Sequence, residues 1–314
     1  MRAVAVAEFG ATPVFTDLPR PDPGPDEVLV KLVAAGLNPF DWKVADGILK
    51  DAVEHSFPLI LGSDGAGVVE AVGAEVAGFR PGDQVYGTFQ HLPRGLGSYA
   101  EYGIASADGT LAAMPDGMIY SQAAAVPTAS MTAWNAVRIA GADQGRTVLV
   151  LGATGGVGQS AVQLGARNGA RVIATARPGA AEEMRELGAD ETVDYTGGGL
   201  GERVRSLVPD GLDAVLDLVG DKAELDGVVP LVKPGGTIVS TAHALNTDAL
   251  EAQEIRGVNM ENEASGELLR TLADLIDAGG LRVRIDEEVS LRDAPEALAR
   301  NRAGGARGKT VIRM

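Results

Sequence analysis

The sequence predicts an α/β protein in which a doubly wound parallel sheet follows a β-rich domain. Three observations predict it. Apolar, strand-like runs alternate with helical stretches from residue 147 to about residue 260, the pattern of a parallel sheet with crossover helices. Gly152, Gly155, Gly156 and Gly158 crowd the join between the first such run and the first helix. The residues before 119 have a different texture, with short apolar runs broken by close glycines and prolines.

Taken in order, Arg2–Glu8 alternates small apolar residues, and Pro19–Pro25 is a stiff, polyproline-like connector. Val28–Ala34, Gln84–Gly87 and Gly97–Ile104 read as strands. The glycines of GSDGAGVVEAVG from Gly62 to Gly73 suit the bends of a small barrel. Ser121–Gly141 reads as one helix with Ala123, Val126, Ala129, Ala133 and Val137 on its apolar face. Thr147–Leu151, Arg171–Ala176, Glu191–Asp194, Leu212–Leu218, Gly236–Ala242 and Arg256–Met260 follow as strands. Between them Val157–Arg167, Ala180–Leu187, Leu200–Val208 and Ala223–Val232 read as helices. Glu267–Ala278 is an amphipathic helix, and Val283–Val289 and Lys309–Arg313 are strands placed to return to the first domain.

The glycine-rich join points to a dinucleotide. Strand, glycine turn and helix together let backbone amides approach a pyrophosphate at the helix start. Gln159 stands before Ser160 where a phosphate-hydrolysing loop needs lysine, so that class is excluded. At the end of the second strand the chain has Ala176-Arg177-Pro178, with no acid to bind ribose hydroxyls. A guanidinium there suits a 2′-phosphate, which favours NADPH over NADH.

Composition narrows the rest. A formal net charge of −16 argues against nucleic acid or an anionic membrane as partner. The chain has no Cys and three His, which excludes disulfides and thiolate metal sites. No apolar run approaches membrane-spanning length, and the run before Glu8 is too short for a signal peptide, so a cytoplasmic location is expected. None of the five Tyr has Lys four residues on, which rejects a short-chain dehydrogenase.

The segments PRPDPGPDEVLVKLVAAGLNPFDWK, LGSDGAGVVEAVG, PGDQVYG, GSYAEY, SMTAW, LGATGGVG and GKTVIRM, in this order, resemble the medium-chain dehydrogenase/reductase superfamily in its zinc-independent quinone oxidoreductase-like branch. The resemblance implies a GroES-like β-barrel catalytic domain over 1–118, with 275–314 returning to it, and a Rossmann NADP(H)-binding domain over 119–274. It implies hydride transfer from NADPH to a small-molecule quinone or α,β-unsaturated carbonyl compound, and a homodimer formed by edge pairing of the Rossmann sheets. Asn38 stands where zinc-dependent relatives have a Cys ligand, and Ser63, followed by Asp64, replaces their His, so no metal is expected. The family pattern places Thr132 at the nicotinamide end of the cofactor. It lines the pyrophosphate with Gly152, Thr154, Gly155, Gly156, Val157 and Gly158, sets Arg177 and Tyr195 by the adenosine phosphate, and flanks the path with Val219, Ser240 and Thr241.

Asn38, Asp41 and Lys43 are the polar candidates for the reaction. Asn38 can bind a ribose hydroxyl or the substrate oxygen, Lys43 can stabilise an oxyanion, and Asp41 can orient either. Their alternatives are a turn residue before Pro39, a solvated charge and a helix cap, in that order. Tyr86, Tyr99 and His91 are further candidate proton donors, and His243 a candidate rim residue. A protein of this fold that binds NADPH in a structural or regulatory role is the competing expectation.

Overall fold

The structure, a computed structural model, describes residues 1–304 and 308–314. The chain divides into two compact units, Met1–Met131 with Ala264–Met314 and Thr132–Glu263.

The first unit begins with β1 (Arg2–Val6), β2 (Val14–Asp17), β3 (Glu27–Gly36), α1 (Pro39–Ala45), β4 (Leu59–Ile60), β5 (Asp64–Val72), β6 (Gln84–Thr88), β7 (Tyr102–Ser106) and β8 (Leu111–Ala113). β3 is the central strand and runs longer than the apolar run Val28–Ala34. Nearly all its residues are buried because β5, β7 and β16 all pair with it. Its pairing with β5 shifts register twice, between Leu29 and Val30 and between Leu32 and Ala34, which bends the sheet. Gly97–Ile104 is extended only in part: β7 begins at Tyr102. Before it, Tyr99 exchanges single bonds with Leu61 and Val4.

Ser121–Gly141 is two helices, not one: α2 (Tyr120–Ala124) and α3 (Pro127–Ala140). The apolar periodicity runs on across the break. Pro127, however, has no N–H to continue a preceding helix and is well placed to start a new one.

The second unit holds β9 (Thr147–Leu151), α4 (Gly156–Arg167), β10 (Arg171–Thr175), α5 (Ala181–Glu186), β11 (Glu191–Val193), α6 (Leu200–Leu207), β12 (Leu212–Asp217), α7 (Lys222–Val228), β13 (Val232–Ser240), α8 (Thr247–Glu251) and β14 (Arg256–Asn259). All six strands are parallel, in the order β11-β10-β9-β12-β13-β14. The winding reverses between β9 and β12, and a crevice for ligands opens at the carboxyl ends of strands on such a reversal. The helix expected over Ala223–Val232 stops at Val228, because Pro230 follows and Val232 already pairs with Leu212. The core between sheet and helices is built from Leu149, Ile173, Val215 and Ile238 with Val204, Leu225 and Val228.

The chain then returns to the first unit with α9 (Gly266–Asp277), β15 (Ile285–Ser290), α10 (Ala294–Arg302) and β16 (Lys309–Arg313). β15 starts two residues later than the apolar pattern suggests. β16 joins β15 on one side and β3 on the other, completing the order β15-β16-β3-β5-β6-β8 with β7 also on β3. Ser265 caps α9 by accepting a bond from the Leu268 amide, 3.1 Å away. Ser265→Ala should cost about 1 kcal/mol, read as a lower urea midpoint at unchanged slope.

Candidate functional site

In the second unit the site is built on the turn after β9. Gly152 has φ +76°, a conformation that L side chains rarely adopt, and its amide donates to the Thr175 hydroxyl at 3.0 Å. That hydroxyl donates onward to the Val150 carbonyl, so the end of β10 braces the turn. Gly158 packs directly on the turn: a Cβ there would lie 2.2 Å from the Gly152 carbonyl oxygen. Gly155 is the N-cap of α4 and offers no side chain to its first amides. Those amides, with Thr154, Gly155, Gly156 and Val157 only partly buried around them, are available to an anion.

Arg177 lies just past β10, exposed, with Nε donating to the Tyr195 hydroxyl at 3.0 Å and the guanidinium 5.8 Å from the centre of that ring. The two residues assigned to the adenosine phosphate therefore meet. Val219, 54% exposed, faces the glycine turn, and a Cβ on Gly152 would sit 2.6 Å from its Cγ2. Asp217 organises the loops beside it. One carboxylate oxygen accepts from the amides of Val219 and Gly220, and the other from the Ser240 hydroxyl at 2.7 Å. Ser240 is fully buried and its oxygen also accepts from the Ala242 amide, so its side chain shapes the loop. Thr241 follows, half-buried, its amide bonded to the Asp217 carbonyl. Thr132 is buried on α3. His243 has φ +55° and lies 3.3 Å from Glu261.

In the first unit Asn38 and Asp41 come together in a buried polar cluster. Asn38 caps α1, and Asp41 is the third helical residue, not the cap. Asp41 accepts from the Asn38 amide at 2.8 Å, the Tyr99 hydroxyl at 2.6 Å and the Ser63 hydroxyl at 3.3 Å. Burial pushes its carboxyl up to about 6 despite these bonds, and burial together with Asp41 holds the Tyr99 phenol well above its usual range. The Asn38 side-chain amide donates to Asp64 at 2.9 Å, and its oxygen accepts from the Lys309 ammonium. Lys309 also donates to the Leu37 carbonyl at 2.9 Å and lies 3.6 Å from Asp64. Asp64 further accepts from the amide and hydroxyl of Thr128 at the start of α3. Burial pulls the Lys309 ammonium below the usual lysine range, and the two carboxylates pull it back.

Lys43 stands apart, half-buried, with its ammonium 5.7 Å from the centre of the Trp42 ring. Tyr86 donates to the Leu269 carbonyl at 2.5 Å, and burial raises its phenol, which makes it a poor proton donor. His91 lies 3.7 Å from Glu27. Lys309, Thr128 and Asp217 were not singled out from sequence. The available signals were slight: Lys309 shares the inward parity of Val311 in β16, and Asp217 is an acid inside a buried run.

Residues 24–116 match the family model of the alcohol dehydrogenase GroES-like domain, and residues 187–312 match that of a zinc-binding dehydrogenase. The first unit is thus GroES-like and the parallel sheet Rossmann-like. The chain is 35% identical to a 2-methylene-furan-3-one reductase of Solanum lycopersicum over 323 residues, covering 99% of this chain and 79% of that one. It is 31% identical over 323 residues to an NADPH-dependent alkenal/one oxidoreductase, chloroplastic, of Arabidopsis thaliana, with the same coverage of 99% and 79%. The solved quinone oxidoreductase of Coxiella burnetii superposes with a TM-score of 0.87 at 30% identity, covering 100% of this chain and 99% of that one. With both domain models matched in this order and relatives aligned along nearly its whole length, the chain belongs to the medium-chain dehydrogenase/reductase superfamily, among its quinone oxidoreductase-like members.

Proposed function

We propose that the protein is an NADPH-dependent reductase of quinones or α,β-unsaturated ketones and aldehydes that works without zinc. The observation that carries this reading is the Arg177–Tyr195 pair at the end of β10, where an NADH site would present an acid. Relatives named for NADPH-dependent alkenal/one reduction and for quinone reduction support it. When bound, the cofactor supplies the hydride. The chain's part is to hold it: the amides from Gly156 to Gly158 would face the pyrophosphate, and the planar guanidinium of Arg177, braced by Tyr195, would take the 2′-phosphate. Val219 and Thr241, on loops shaped by Asp217 and Ser240, flank the path toward the nicotinamide, with Thr132 at its end.

Conjugated acceptors spread the developing enolate charge, so they need less carbonyl polarisation than a simple ketone does. That fits a site whose residues do not suit a metal. Asn38 and Ser63 are weak neutral ligands, and the oxygens of Asn38 and Asp64 already face the fixed charge of Lys309. Among the described residues no group of three or more His, Cys, Asp or Glu could hold an ion. Asn38 and Asp41 are the polar groups proposed to serve the reaction, with Lys43 as a more distant charge. The reading includes a homodimer through edge pairing of the parallel sheets and a cytoplasmic location; among the described residues no helix is long and apolar enough to cross a membrane.

Arg177→Ala should raise the KM for NADPH about tenfold or more and leave that for NADH nearly unchanged, since one charge-assisted contact is lost. Equal affinity for both cofactors, unmoved by the substitution, would overturn the NADPH assignment. Saturable NADPH binding with no turnover across quinones and enones would favour the structural or regulatory alternative.

A further inference from the structure

We propose that Lys309 and Asp64 are positioning residues that lock the side-chain amide of Asn38 in one orientation, with its oxygen as the only group left to offer; this rests on the reading that Asn38 serves the reaction. An asparagine amide has nearly the same shape after a half-turn that exchanges oxygen and nitrogen, so packing alone leaves its polarity open. Here charge decides it. The amide nitrogen donates to the Asp64 carboxylate at 2.9 Å, and the oxygen accepts from the Lys309 ammonium. A half-turn would set NH2 against an ammonium and C=O against a carboxylate. Both clashes would fall in a site where Asn38 and Lys309 are each 4% exposed and Asp64 is fully buried.

The anchoring is over-determined. The Asn38 backbone amide is held by Asp41 at 2.8 Å, and its second side-chain hydrogen faces the Gly36 carbonyl at 3.5 Å. Asp64 is held in turn by the amide and hydroxyl of Thr128, and Lys309 by the Leu37 carbonyl. Both hydrogens of the amide nitrogen are therefore directed at protein oxygens, whereas the side-chain oxygen keeps a second lone pair. Asn38 then presents an acceptor. Its partner in the reaction is then a hydrogen-bond donor such as a hydroxyl, and not a developing oxyanion.

The test compares the full-length protein with the double variant Lys309→Met, Asp64→Asn, which removes the charges together so that neither is left unpaired. Thermal unfolding reports folding, the side-chain 15N–1H signals of Asn38 report its orientation, and NADPH oxidation with a 1,4-naphthoquinone reports turnover. We expect the double variant to stay folded. Its Asn38 amide should exchange with solvent far faster than in the wild type, and kcat should fall at least tenfold with the KM for quinone within about threefold. A folded double variant with wild-type Asn38 signals and wild-type kcat overturns the proposal. So does rapid exchange of the Asn38 amide in the wild-type protein, which requires no variant. A wild-type protein that fails to oxidise NADPH with any acceptor refutes the enzymatic reading, and the Asn38 signals alone then decide the positioning.

Discussion

Gly158→Ala should collapse the turn after β9 and raise the Kd for NADPH at least a hundredfold. The added Cβ would lie 2.2 Å from the Gly152 carbonyl oxygen, 2.6 Å from the Ala153 Cα and 2.7 Å from the Ala153 carbonyl carbon. All three are backbone atoms, so no side chain can swing aside. Either the first turn of α4 moves away from the turn or the turn itself opens. Overpacking of this kind costs about 1–3 kcal/mol where side chains can adjust, and the backbone contacts put this site at the upper end. Cofactor fluorescence gives the affinity and thermal unfolding the stability. Gly155→Ala is the control for folding, because its Cβ would meet only the Gly152 carbonyl, at 3.4 Å. That variant should unfold at the wild-type temperature. Equal NADPH affinity in Gly158→Ala and the wild type would show that the amides of this turn do not hold the cofactor.

Asp41→Asn should make the protein more stable at neutral pH and leave it nearly unchanged in mild acid. The Asp41 carboxyl has the ordinary aspartate value of 3.8 when unfolded and is pushed up to about 6 when folded, because burial disfavours its charge. The folded state thus binds the proton more tightly. The resulting stability is fully present below about pH 4 and is lost as pH rises through 6, a swing on the order of 3 kcal/mol by pH 7–8. Asparagine keeps the shape and the bonds: its oxygen can accept from Tyr99 and the Asn38 amide, and its nitrogen can donate to Ser63. The difference in unfolding free energy between variant and wild type should therefore be near zero at pH 4 and grow toward neutrality. Urea titrations at half-unit pH steps measure it. A difference that stays flat from pH 4 to 8 would show that Asp41 is not the group titrating near 6.

The glycine turn after β9 was legible because its causes are local. The β-branched run Thr147–Leu151 is a strand of the same bounds, and α4 starts at Gly156, one residue before the helix read from Val157. Gly152 shows in the sequence because its positive φ suits no L side chain, and Gly158 because no Cβ fits against the turn. Arg177 was readable as a position because it lies two residues past the end of β10. The polar cluster was not. Asn38, Asp41, Ser63, Asp64 and Tyr99 were named one by one from sequence, but nothing local joins them into a cluster, and Thr128 and Lys309 look unremarkable in their own neighbourhoods. What makes Lys309 a partner of Asn38 is that β16 lies beside β3, a pairing that no local pattern encodes. The break between α2 and α3 was within reach, since Pro127 is in plain view, but the apolar spacing on both sides masked it. Proline as a first helical residue leaves that spacing intact.

The Asn38–Lys309 bond spans 271 positions of chain. A ribosome adding roughly 5–20 residues per second emits Asp41 and Asp64 tens of seconds before the lysine that neutralises them. Until then the two acids lack that partner, so α1 and the start of β5, which carry them, should not close around a dry interior. Closure of this half of the molecule should therefore wait for its last strand and not for its first eight, and a nascent chain stalled before residue 309 should remain open to protease there.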